Sequence, residues 1–206
     1  MNEHGMLVVV SGFSGTGKGT IMKELLKRYE NYALSISATT RKPRDGETDG
    51  KEYFFVTEEQ FQDMIKKDAL IEYAQYVNHY YGTPRQYVLK QMNMGKDVIL
   101  EIEIQGALKV KERFPEAILV FVMPPSADEL KRRLIGRGTE NMEIINARLR
   151  RAAEEAEGME AYDYILINDE IDSCVEEMHR MIQVQHNRAS NNMAFLSQIR
   201  EELKNI

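Results

Sequence analysis

Apolar positions along the chain fall in two alternating rhythms. The run MLVVV (6–10) is short, β-branched and apolar at every position, which predicts a strand buried on both faces. From Thr20 to Tyr29 the spacing changes: Ile21, Leu25 and Leu26 share one side of a predicted helix. DVILEIEI (97–104), ILVFV (118–122) and YILIN (164–168) are further buried-strand candidates. Helical patterns cover Gln105–Arg113, Ala127–Ile135, Met142–Gly158 and Ile171–His186. Strands alternating with helices imply an α/β chain with a parallel sheet wrapped by helices. The polar stretch 187–206 reads as a peripheral helix.

Two stretches break this rhythm. Residues 35–89 hold a turn-rich loop (TTRKPRDGETDGKE), a short YFFV and a tyrosine-rich YAQYVNHYYGTP. Residues 126–157 follow Pro124–Pro125 and carry Lys131, Arg132, Arg133, Arg137, Arg148, Arg150 and Arg151. Both read as insertions on a single core.

Composition narrows the classes. A chain of 206 residues can bury one good core. Its net charge of −6 argues against a nucleic-acid binder, which needs a basic face. Cys174 is alone, so no internal disulfide forms, as suits a reducing cytoplasm. His4, His79, His179 and His186 are scattered, without partners at zinc spacing. No apolar run reaches a membrane span, and the N-terminus lacks the pattern of a signal peptide. A cytoplasmic location is expected, with no membrane partner.

GFSGTGKGT (12–20) carries the clearest chemistry: Gly12-x-x-x-x-Gly17-Lys18 is a phosphate-binding loop. Its glycines let successive N–H groups turn inward around phosphate oxygens. The helix that follows adds its positive end, and Lys18 a mobile charge. The expected ligands are Ser14, Gly15, Thr16, Gly17, Lys18, Gly19 and Thr20. The usual pattern ends in a hydroxyl residue, but Gly19 stands there and Thr20 comes next. Magnesium is therefore expected to ride on donor phosphates and waters, with Glu101 reached through water.

Other residues suggest a second substrate. Arg41 and Arg44, separated by a stiff Pro43, suit a phosphate monoester, and equally suit a solvated basic loop. Tyr53 and Tyr81 can add phenolic donors or simply pack. In LIEYAQY, strict alternation would put Glu72, Ala74 and Tyr76 on one face and Ile71, Tyr73 and Gln75 on the other. A carboxylate accepts only, and guanine offers two donors, N1–H and the N2 amino group, where adenine does not. Glu72 could equally be a surface acid. Glu101 and Glu103 alternate with Leu100, Ile102 and Ile104, so both would face one way at the end of a strand, where open α/β sheets bind ligands. Arg133 and Arg137 share a helix face, fit for a closing lid or for a solvated helix laced with ion pairs.

Taken together, GFSGTGKGT, SISATTRKPRDGETDGKEYFF, IEYAQYVNHYYGTP, EIEIQG, RRLIGRGTE and ILIND resemble the guanylate kinase family, from about Met6 to His186. The resemblance implies a P-loop NTPase core (1–34, 90–125 and 158–206), an inserted GMP-binding subdomain (35–89) and a helical lid (126–157). It implies transfer of the γ-phosphoryl group of ATP, with magnesium, to GMP. Ser37, Glu72 and Thr83, with Glu103 nearby, would face the base. Arg41, Arg44, Tyr53 and Tyr81 would take the GMP phosphate. The loop with Arg133, Arg137 and Arg148 would take the ATP phosphates, and Asn168–Asp169 the adenine side. Lys18, Arg41, Arg133, Arg137 and Arg148 would carry catalysis. The chain departs from the family pattern at Phe13, Gly19 and Tyr73, where proline, serine and tryptophan are common.

Two rivals are open on sequence. A related interaction module without catalysis should have a damaged loop or missing arginines; Lys18, Arg41, Arg137 and Arg148 are present. A P-loop kinase for another monoester should have no reason to pair Glu72 with Ser37 and Thr83.

Overall fold

The computed structural model describes residues 4–76, 78–136, 138 and 141–206, with the backbone alone at Tyr76. The chain runs β1 (Leu7–Gly12), α1 (Lys18–Arg28), β2 (Tyr32–Leu34), β3 (Ala38–Thr39), β4 (Phe54–Phe55), α2 (Glu58–Lys66), β5 (Leu70–Tyr76) and β6 (His79–Pro84). It continues through α3 (Arg85–Asn93), β7 (Asp97–Glu101), α4 (Ile104–Arg113), β8 (Ile118–Met123), α5 (Ala127–Gly136) and α6 (Met142–Ala156). The last elements are β9 (Tyr164–Ile167), α7 (Ile171–His186) and α8 (Met193–Lys204).

Five parallel strands form the main sheet in the order β2-β7-β1-β8-β9. The continuous apolar run of β1 serves both faces. Leu7 and Val9 point into a core with Ala107, Val110, Leu130 and Ile145. Met6, Val8 and Val10 point into a second core with Ile21, Leu25, Val175, Met178 and Ile182. A strand buried on both sides has no solvent face to keep polar, hence the missing alternation. α1 and α7 thus cover one face, and α4, α5 and α6 the other. The helix expected from Thr20 begins two residues earlier, at Lys18.

A four-stranded sheet, β4-β3-β6-β5, lies outside this core, with β3 parallel to β4 and antiparallel to β6. Phe61 of α2 packs beneath it with Ala38 and Leu70. Thr57 caps α2 reciprocally: its hydroxyl accepts from Gln60 N at 3.1 Å, and Gln60 Oε1 accepts from Thr57 N at 2.8 Å.

Two readings of strand geometry are corrected. β7 stops at Glu101, not at residue 104, so Glu101 and Glu103 do not share one strand face. Glu103 is instead the extended residue that opens α4. In β5 the pairing shifts between Leu70 and Tyr73, from partner Pro84 to Gly82. This bulge breaks the alternation, so that Ile71 and Glu72 are both buried while Tyr73 and Ala74 are exposed. β2 was not anticipated, because a three-residue strand carries no readable period.

Candidate nucleotide site

The loop between β1 and α1 is built tightly. Gly12, Gly15 and Gly17 have φ of 153°, 98° and 87°, conformations that side chains resist. Space forbids a side chain there too: a Cβ on Gly12 would stand 2.1 Å from Val122 O, and one on Gly17 2.6 Å from Asn168 Nδ2. Thr16 is buried, its hydroxyl donating to Phe13 O at 2.9 Å. Lys18 Nζ donates to Gly12 O at 2.6 Å and Phe13 O at 3.1 Å, bending the ammonium back across the loop. Gly19 and Thr20 are exposed on the first turn of α1, and a Cβ on Gly19 would meet nothing within 4 Å. Asn168 lies buried behind the loop, donating from Nδ2 to Thr16 O at 2.7 Å, while Asp169 is exposed.

In front of the loop is a cleft of about 620 Å³. Gly12, Ser14 and Lys18 line one side, Glu101 and Glu103 the floor, and Arg148 and Arg151 of α6 the other side. Arg148 donates from Nη1 to the hydroxyl of Ser14. Arg151 pairs with Glu103 at 2.8 Å and with Glu155 at 3.0 Å. Arg132 and Arg133 both bond Glu129 at 2.6 Å, and Arg132, then Arg133, hold the Glu129 carboxyl down at about 2. Arg132, Arg133 and Arg151 are thus paired with acids of their own helices, and Glu155 supplies one of these acids from the end of that stretch. Arg137 lies outside the described residues.

The second sheet carries a buried polar pair. Glu72 is 7% exposed and its Oε1 accepts the Thr83 hydroxyl at 2.8 Å. Burial pushes the Glu72 carboxyl above its usual value, and the Thr83 hydrogen bond opposes this. Ser37 sits half-buried just before β3, its carbonyl accepting from Phe54 N at 2.9 Å.

Arg41, Tyr53 and Tyr81 come together. The Arg41 guanidinium lies 5.3 Å over the Tyr53 ring, and the Tyr53 and Tyr81 rings are 6.0 Å apart, edge to face. Arg44 is exposed. The residue that organises this loop, Glu47, was not singled out from sequence. It takes both Nη atoms of Arg41, at 2.9 and 2.8 Å, and the Arg44 N–H at 2.8 Å. The signal was present in RKPRDGE. Glu47 N bonds Arg44 O at 3.0 Å around Gly46, whose φ of 88° suits a tight turn. Such a turn carries an acid back onto the arginine that precedes it.

Comparison with known proteins identifies the family. The guanylate kinase family model matches residues 4–185. A guanylate kinase of Caldanaerobacter subterraneus is 50% identical over 202 residues, covering 98% of each chain. One of Halalkalibacterium halodurans is 53% identical over 184 residues, covering 89% of this chain and 90% of the other. The crystal structure of guanylate kinase from Anaplasma phagocytophilum superposes with a TM-score of 0.70 at 33% identity, covering 90% of this chain and 88% of that one. With the family model matching residues 4–185 and relatives about 50% identical over most of its length, the chain belongs to the guanylate kinase family.

Proposed function

We propose that this chain transfers the γ-phosphoryl group of ATP to GMP, releasing ADP and GDP. One observation carries the reading. α4 links the two halves of the site: Glu103 at its start lines the cleft with Lys18, and Gly106, three residues on, faces the Glu72 carboxylate, which a Cβ there would meet at 3.3 Å. A donor held by the loop and an acceptor read by Glu72 are thereby set at opposite ends of one short path.

The proposed division of labour follows. The loop N–H groups and Lys18 hold the donor phosphates, with Arg133, Arg137 and Arg148 stabilising charge on the transferring group. Lys18 exchanges its loop carbonyls for phosphate oxygen. Arg41, Arg44, Tyr53 and Tyr81 hold the acceptor phosphate. Glu72 accepts two donors from the guanine edge, with Ser37, Thr83 and Glu103 around it. Residues 35–89 and 126–157 act as the acceptor subdomain and the lid. Asn168 supports the loop from behind, and Asp169 stands free beside it for the adenosine side.

An oxygen of the GMP phosphate bonds to the γ-phosphorus as the bond from that phosphorus to the bridging oxygen breaks. The attacking oxygen is already anionic, so no side chain has to remove a proton. Alignment and charge stabilisation supply the acceleration.

Magnesium fits this site as a passenger on ATP. Among the described residues no three His, Cys, Asp or Glu side chains gather into a metal site. Glu101, exposed on the cleft floor, suits a bond to a metal-bound water. When bound, the ion neutralises phosphate charge. No helix among the described residues is long and apolar enough to cross a membrane. Incubation with GMP and ATP labelled in the γ-phosphate tests the reading: label should appear in GDP, mole for mole with ADP. Label released only as inorganic phosphate would refute it.

A further inference from the structure

The Glu72 carboxylate meets α4 at a residue with no side chain. Gly106, in the first turn of α4, faces it across the gap to β5. A Cβ built on Gly106 would stand 3.3 Å from Glu72 Oε2 and 3.3 Å from Ile102 Cδ1. Both distances are tighter than ordinary van der Waals contact. The end of the isoleucine can rotate away. The carboxylate has less room, because Oε1 is tied to Thr83 at 2.8 Å and the side chain is buried.

Backbone conformation does not ask for glycine here. Gly106 is helical and is not among the residues with positive φ. Alanine is the better residue inside a helix. A glycine in that place, with free choice of φ, points to the space it leaves. That space lies beside Oε2, the Glu72 oxygen that does not accept the Thr83 hydroxyl.

We propose that Gly106 is a positioning residue for base selection, leaving Glu72 Oε2 uncovered so that the carboxylate can take two donors from the purine edge. This rests on the reading of Glu72 as the base-binding carboxylate. A methyl group at 106 covers Oε2 and presses the carboxylate toward Thr83. One of the two donors from the base is then met off-line.

The test is Gly106→Ala, alone and combined with Glu72→Gln, in steady-state assays that vary GMP and ATP separately. The KM for GMP should rise roughly tenfold, about 1.4 kcal/mol, with kcat and the KM for ATP close to wild type. Thermal melting should be unchanged or higher. In the Glu72→Gln background, already defective toward GMP, the added methyl should matter much less, as expected for coupled neighbours. An unchanged GMP KM, or a full effect in that background, would overturn the role of Gly106. So would a variant that fails to fold, because the cost is assigned to the carboxylate alone. If Glu72→Gln alone left GMP use intact, the reading of Glu72 would fail instead, and if wild type ignored GMP, the function itself.

Discussion

Glu47 and Arg41 form a two-pronged ion pair, Nη1 to Oε2 at 2.9 Å and Nη2 to Oε1 at 2.8 Å. The same Oε2 accepts the Arg44 N–H at 2.8 Å, so one carboxylate fixes both the guanidinium and the turn that carries it. Arg41, and then the Arg44 amide, hold the Glu47 carboxyl below the usual carboxylate range. The brace therefore survives mild acid, and is lost only as pH falls through that depressed value.

Glu47→Ala should raise the KM for GMP roughly tenfold, the size of one charge-assisted hydrogen bond lost at a binding site. The KM for ATP should stay put, and melting should fall modestly, because the half-buried pair braces only this loop. Steady-state kinetics with GMP varied decides between bracing and competition. A lower KM would mean that Glu47 competes with the acceptor phosphate for Arg41.

Lys18→Met should lower kcat by at least about 10²-fold, the usual cost of removing one preorganised donor from a transferring group. GMP affinity, measured by calorimetry without ATP, should change little. The lysine sits on the loop carbonyls of Gly12 and Phe13, whereas the proposed base-reading carboxylate, Glu72, is paired with Thr83. Equal losses of turnover and GMP binding would contradict the separation of the two sites.

Gly19→Ser should be tolerated, because a Cβ there meets nothing within 4 Å. If the metal rides on phosphates and waters, the new hydroxyl should leave kcat close to wild type and tighten the dependence on magnesium. Titration of activity with magnesium at fixed ATP reads this directly. A Ser variant without activity would show that the exposed first turn of α1 must stay bare.

Burial raises the Glu72 carboxyl, and the Thr83 hydroxyl pulls it down again. Thr83→Val removes the second influence, so the acid limb of kcat/KM for GMP should move to higher pH. The sign for stability follows from linkage. A carboxyl raised in the folded state binds its proton more tightly there than when unfolded. Its favourable contribution is present below the unfolded value and lost as pH rises through the folded one. Ionised Glu72 therefore costs stability near neutral pH, and Glu72→Gln should melt higher than wild type while losing guanine selectivity. Melting curves and a pH profile check both signs.

Much of this was legible because periodicity and burial are one statement. MLVVV could only be a strand enclosed on both faces, and Leu7 and Val8 do enter opposite cores. What sequence hid was local geometry that breaks the period. EIEI alternates like a strand, yet β7 ends at Glu101 because α4 must begin at Ile104. LIEYAQY alternates too, but the bulge after Leu70 turns Glu72 inward beside Ile71. Arg41 and Arg44 read as a pair of cations because residue type shows charge and not partner. Glu47 becomes visible only once the turn at Gly46 folds it back. Gly106 looked like any helical glycine until the Glu72 oxygen was seen beside it.

The central claim is that this chain phosphorylates GMP with ATP and reads the base through Glu72. The most direct measurement is ADP release, in a coupled assay, against GMP, AMP, CMP, UMP and ribose 5-phosphate. The account predicts turnover with GMP, and a preference over AMP on the order of 10⁴, as a site built around donor–acceptor pairing gives. That preference should collapse in Glu72→Gln. Comparable rates with AMP or ribose 5-phosphate, or no ADP release with any acceptor, would contradict it.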